Sequence, residues 1–136
     1  MAVEISCDYK GELRCESTHG PSGSVLDTDA PVDNQGRGEA FSPTDLLATA
    51  LASCVLTTLG IKAPMREIEF SGGRARVTKT MSSGGPRRVA SLESTIELDA
   101  RHNERERSTL EDIARNCPVA LSLSSETELK FRFVYL

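Results

Sequence analysis

The sequence predicts an α+β fold in which a mainly antiparallel sheet is built around a long, central, buried helix. Three patterns carry that prediction. Residues 41–61, FSPTDLLATALASCVLTTLGI, read as a capped helix that is apolar or small on every side, so it expects cover all round. Six shorter stretches read as strands, most of them alternating apolar and polar residues. Residues 104–117 place Leu110, Ile113, Ala114 and Cys117 at the 0, 3, 4, 7 spacing of a second helix.

The chain opens with residues 2–9, where Val3, Ile5, Cys7 and Tyr9 share one face. A turn at Lys10-Gly11 leads into residues 12–18, where Leu13 and Cys15 repeat the pattern, giving an antiparallel hairpin. Cys7 and Cys15 fall on inward positions and read as small buried hydrophobes. A short strand at 24–28 follows, then a turn-rich loop at 29–40 containing Gly36-Arg37-Gly38. That loop lets the backbone approach closely while offering one guanidinium, but its glycine spacing matches neither phosphate-binding fingerprint.

The long helix starts at Ser42 as cap, with Pro43 at the first helical position and Asp45 three residues after the cap. The uncharged run from Leu46 to Ile61 is 16 residues, short of the ~20 that span a bilayer. It reads as a core helix, ended by Gly60 and Pro64, with Cys54 past its middle. A chain of 136 residues is tight for a core that surrounds such a helix, so a partner chain would supply missing cover.

Beyond it, residues 67–81 read as a strand interrupted by Gly72-Gly73, and 82–88 as a Ser/Gly/Pro turn with Arg87 and Arg88 solvated at its tip. A cleaner strand at 91–99 closes a second hairpin. After the second helix, Pro118 disfavours its continuation, residues 119–123 are a short apolar segment, and 127–135 form a strand with Leu129, Phe131, Phe133 and Tyr135 inward. Residues 1–136 are expected to make one domain.

Composition excludes several classes of function. With 20 acidic and 16 basic residues the net charge is -4, and no block of like charges suggests a nucleic-acid partner. The first residues lead into a strand pattern instead of a basic and then apolar signal, so a cytoplasmic location without a membrane partner is expected. The four cysteines contain no Cys-x-x-Cys pair, and neither His19 nor His102 stands at a metal-ligand spacing, so no metal and no cofactor are expected. Cys54 and Cys117 each fall on the buried face of a helix. Spacing alone does not say whether they approach within the ~4.4–6.8 Å between Cα atoms that a disulfide needs.

The Ser-Pro-Thr-Asp-Leu-Leu cap, the Ala-Leu-Ala-Ser-Cys run ending at Cys54, the Asn-Cys-Pro-Val stretch around Cys117 and the order of elements together carry a family likeness. Over nearly its whole length the chain resembles the OsmC/Ohr family, named for osmotically inducible protein C and organic hydroperoxide resistance, and within it an OsmC-like branch. The resemblance implies an intertwined homodimer, with long helices buried between two sheets and two active sites at the interface. It implies a thiol peroxidase for organic hydroperoxides, with Cys54 attacking the peroxide, Cys117 forming a disulfide with the resulting sulfenic acid, and a dithiol, for instance lipoyl-linked, as reductant. The family lowers the thiol pKa with a nearby arginine. Arg37, in the loop before the helix, matches OsmC-type members, and Arg14, in the second strand, is the alternative that matches Ohr-type ones.

One departure from the family pattern matters. Where its hydroperoxidases carry a Glu after the capping Pro, this chain has Thr44. Asp45 lies about 180° round the helix from Cys54 and ~13 Å along it, so the cap explains it without catalysis. Glu39, beside the Gly-Arg-Gly loop, is the candidate carboxylate for Arg37. Thr44 keeps open a second reading, an OsmC-like fold that binds a small apolar or electrophilic ligand at the dimer interface without peroxidase turnover.

Overall fold

A computed structural model describes residues 1–136 as two compact units, Met1–Leu47 and Ala48–Leu136. In the first, β1 (Ile5–Gly11), β2 (Arg14–His19) and β3 (Val25–Asp29) form an antiparallel sheet in the order β1-β2-β3. The β1–β2 turn is Glu12-Leu13, not Lys10-Gly11, and Leu13 drops out of the strand alternation. Both residues are left-handed, at φ 52° and 64°, as a two-residue hairpin of the right twist demands. The Leu13 N–H donates to the Tyr9 hydroxyl at 3.2 Å, and the Leu13 carbonyl accepts from the Ala30 N–H at 3.1 Å. These bonds hold a conformation that a bulky residue rarely adopts.

After β3 the chain makes a short 3₁₀ turn, Val32–Asn34, and folds back on itself. The Gly38 N–H donates to the Ala30 carbonyl, and a Cβ at Gly36 would overlap that same carbonyl. Glycine in this loop therefore serves its own compactness.

Helix α1 (Pro43–Met65) begins at a reciprocal cap: the Ser42 hydroxyl accepts from the Asp45 N–H at 3.0 Å, and the Ser42 N–H donates to the Asp45 carboxylate at 2.9 Å. It runs through Gly60, and Pro64 falls in its last turn. The stop is instead a paired C-terminal turn in which Ile68 N–H donates to the Ala63 carbonyl and Glu67 N–H to the Pro64 carbonyl, both at 3.0 Å, with Glu67 left-handed at φ 59°. Burial of Ile68 and Ala63 anchors this turn. With 23 residues the helix is centred on Cys54.

By length and composition α1 would suit a bilayer. It is docked by a stripe of Ala48, Leu51, Val55, Thr58, Leu59 and Ala63, all buried. Each large apolar side chain there stabilises by about 1.5–3 kcal/mol. The opposite side, with Thr49, Ser53, Thr57 and Ile61, is exposed. The single chain thus supplies only part of the all-round cover the sequence asks for.

In the second unit, β4 (Arg74–Met81) and β5 (Val89–Leu98) pair antiparallel, and β6 (Glu128–Tyr135) joins β5 in parallel. A parallel neighbour requires a crossover, which α2 (Glu104–Arg115) and α3 (Pro118–Ser122) provide. β4 starts later than the alternation suggested, because residues 67–73 hold the helix stop and Gly73, where a Cβ would sit 2.8 Å from the Glu97 carbonyl. The Asn103–Glu106 capping box starts α2, which buries Leu110, Ile113 and Ala114. It ends short of the expected residue 117 because Pro118 forces Cys117 into extended backbone, at φ -67° and ψ 154°. Pro118 then opens α3, so the apolar segment after it is helical. The aromatic side of β6 is capped by α2: Arg107 lies 4.1 Å from the Tyr135 ring, and Arg115 lies 5.5 and 5.3 Å from Phe131 and Phe133.

Two substitutions probe this packing by urea denaturation. Leu13→Gly relieves the left-handed turn and is expected to raise stability by about 1 kcal/mol. Ser94→Ala removes a buried hydroxyl that has no partner and is expected to gain a similar amount, about 1 kcal/mol.

Candidate functional site

Cys54 sits at the centre of α1 beside the buried stripe, half-buried where its neighbour Val55 is fully enclosed. One turn on, the Thr58 hydroxyl lies 3.7 Å from the Cys54 Sγ, close enough to support a sulfur carrying charge. Cys117 occupies the bend between α2 and α3 and is fully buried. The structure brings the two together: their thiols are hydrogen-bonding neighbours, and both are free. Burial pushes the Cys117 thiol above its ordinary range. The Ala120 amide opposes this, the Cys54 thiol adds to it, and the Val119 amide pulls back slightly.

The consequence is a division of labour between the two sulfurs. Cys54 can be reached from solvent and Cys117 cannot. A reagent arriving from outside meets Cys54 first, while Cys117 waits behind it as a protonated thiol.

In the N-terminal unit, Arg14 lies directly opposite Asp29 across β2 and β3. Its Nε and Nη2 donate to the two carboxylate oxygens of Asp29 at 2.7 and 2.8 Å, a bidentate pair that fixes the plane of the guanidinium. Asp29 is almost wholly inaccessible and also accepts from the Glu39 N–H at 3.2 Å. The Glu39 carboxylate stands 3.9 Å from Arg14. Arg14 holds the Asp29 carboxyl below the usual carboxylate range, against the opposing effect of burial.

Arg37 is placed differently. It meets Glu12 at 2.8 Å, with both side chains substantially exposed, in a shallow groove shared with Leu13, Gln35 and Gly36. Glu39 therefore faces Arg14, not Arg37. Thr44 and Asp45 belong to the helix cap, the Thr44 hydroxyl lying 3.2 Å from that of Ser42.

Sequence reading missed two members of these clusters. Thr58 follows Cys54 by four residues, so helical spacing alone would have found it. Asp29 emerges only from the register of β2 against β3, which sets it opposite Arg14.

The family model described as OsmC-like protein matches residues 36–132. No curated protein matches the chain. Among solved structures, a Psychrobacter arcticus protein named for osmotic stress induction and detoxification response is 44% identical, with 95% of this chain and 93% of that one covered and a TM-score of 0.87. An OsmC-like protein from Mycoplasma pneumoniae is 17% identical, with 100% and 98% covered and a TM-score of 0.83. An organic hydroperoxide resistance protein OsmC from Legionella pneumophila is 16% identical, with 98% and 97% covered and a TM-score of 0.78. The last two likenesses concern the fold.

The Arg14–Asp29 pair has a testable signature in acid. Because the native Asp29 pKa is depressed, its stabilising contribution is complete above the ordinary carboxylate pKa and is lost as pH falls through the native value. Asp29→Asn is therefore expected to be less stable than the parent near neutrality. The two should converge in strong acid, as followed by denaturant titration across a pH series.

Proposed function

This chain belongs to the OsmC-like protein family, and from that premise we propose that it is a thiol peroxidase for organic hydroperoxides, working in a reducing cytoplasm. The observation that supports this most is the meeting of a reachable Cys54 with a buried, protonated Cys117. In the proposed cycle the Cys54 thiolate attacks the terminal peroxide oxygen, the O–O bond breaks, and the alkoxide takes a proton to leave as alcohol. Cys54 is then a sulfenic acid. The Cys117 sulfur displaces its hydroxyl, water leaves, and the Cys54–Cys117 disulfide forms. An external dithiol, lipoyl-linked or similar, reduces that disulfide by exchange and is itself oxidised to a disulfide.

Attack requires a thiolate, and a cysteine of ordinary pKa near 8.5 offers only a few per cent of it at neutral pH. We assign the activating guanidinium to Arg14 ahead of Arg37, because bidentate pairing with buried Asp29 holds Arg14 in one orientation. Arg37 rests on an exposed carboxylate instead. In this reading Asp29 and Glu39 together do what a carboxylate at position 44 does in related hydroperoxidases.

The active form is proposed to be a homodimer. Between Leu46 and Ile61 helix α1 carries no charge, and its side opposite the buried stripe is uncovered within one chain. A second copy would remove that surface from water, the cheapest way to complete its burial.

The test is to mix reduced protein with an alkyl hydroperoxide and follow intact mass, thiol count and peroxide loss. Two thiols are expected to disappear, mapping to Cys54 and Cys117, with turnover in the presence of a dithiol and none in Cys54→Ser. Arg14→Ala is expected to slow thiol oxidation about tenfold or more, by removing the fixed positive charge proposed to favour the attacking sulfur. Arg37→Ala should change it by less than about twofold. Folded protein that keeps all its thiols under excess peroxide would refute the peroxidase and leave ligand binding without turnover as the reading of the fold.

A further inference from the structure

Neither Cys7 nor Cys15 is used by that chemistry, and the two are not the inward hydrophobes that alternation suggests. Cys7 is exposed and Cys15 half-buried. Register places Cys7 opposite Ser17 and Cys15 opposite Tyr9, so the two cysteines are diagonal neighbours on one face of the β1–β2 hairpin. Their thiols are hydrogen-bonding neighbours. On the other flank Cys15 lies directly opposite Thr28; burial pushes the Cys15 thiol above its ordinary range, the Cys7 thiol adds to this, and the Thr28 hydroxyl opposes it.

We propose that Cys7 and Cys15 form a soft-metal site that takes one Cu(I) ion between two thiolates. The diagonal placement is the first reason. Diagonal positions of an antiparallel pair are about 7–8 Å apart at Cα, beyond the ~4.4–6.8 Å that a disulfide spans without backbone movement. An ion between the sulfurs lengthens the bridge by a second metal–sulfur bond, so it closes a gap that a direct S–S bond does not.

Ligand chemistry is the second reason. Asp8, Glu16 and Asp27 lie in line across the three strands, one residue out of phase with the cysteines, so alternation puts all three carboxylates on the opposite face. His19 shares the cysteine face but its Nδ1 is 2.6 Å from the Ser22 hydroxyl. No third His, Cys, Asp or Glu completes a cluster. A site of two sulfurs with no hard oxygen donor disfavours Mg²⁺, Ca²⁺ and four-coordinate Zn²⁺, and suits a soft monovalent ion of low coordination number. Ile5 and Tyr9 beside the pair add an apolar surround, and exposed Cys7 gives the ion its way in. Binding converts two thiols and Cu⁺ into an anionic bis-thiolate and releases two protons, so affinity rises with pH.

The site is independent of the peroxidase reading and is tested with the catalytic thiols removed. Reduced protein carrying Cys54→Ala and Cys117→Ala is titrated anaerobically with Cu(I) against a chromogenic Cu(I) chelator. One ion per chain is expected to be retained, with affinity at least tenfold weaker after Cys7→Ser or Cys15→Ser. A parallel measurement on the unmutated chain guards against misfolding of the variant: Cu(I) is expected to protect Cys7 and Cys15 together from alkylation, mapped by peptide mass. Absence of protection, retention that survives Cys7→Ser, or quantitative Cys7–Cys15 disulfide formation with glutathione disulfide would each overturn the proposal. Loss of peroxide turnover in Cys54→Ser without change at Cys7 and Cys15 separates the two chemistries.

Discussion

The rotation of α1 about its own axis is the constraint on which the thiol pair depends. That rotation is set by Leu51, Val55 and Leu59, which are at most 1% exposed and hold one stripe of the helix inward. Cys54 precedes Val55, so it falls about 100° away, at the margin between the covered and uncovered sides. A helix turned by one residue would bury Cys54 or aim it at solvent, away from Cys117. The apolar stripe therefore does more than stabilise the fold: it aims the sulfur.

Cys117 is positioned by a different kind of physics. Its place is decided by backbone sterics at Pro118, which end α2 and start α3 around a single extended residue. Burial then keeps its sulfur protonated and behind Cys54. Two unrelated local rules, apolar periodicity in one helix and a proline restriction after another, converge on one pair of thiols. The arginine cluster has a third origin, cross-strand register, which makes Arg14 and Asp29 face each other.

Much of this was legible from residues alone. The Ser42–Asp45 cap, the succession of strands and long helices along the chain and the buried face of α2 follow from local chemistry and were found in the order pattern gave them, with α2 stopping at Arg115; the division into two sheets and the parallel β5–β6 pair were not read from pattern. What pattern misplaced were boundaries governed by the left-handed region. Leu13 and Glu67 adopt it without being glycine, so the first turn shifted by two residues and α1 ran on past Gly60. No propensity argument anticipates a leucine at φ 64°, because hydrogen bonds that Leu13 donates to Tyr9 and accepts from Ala30 hold it there.

The sequence by itself determined the main elements, the caps, the two cysteines at and after the long helices and the family they belong to, since these rest on interactions a few residues apart. Only the tertiary structure decided which side chains meet. It paired Cys54 with Cys117, gave Asp29 and Glu39 to Arg14 instead of Arg37, and set Cys7 diagonal to Cys15. The physical reason is that each of these contacts joins residues from different elements. Their approach is fixed by register and packing, which are properties of the assembled sheets and helices and of no single stretch of chain.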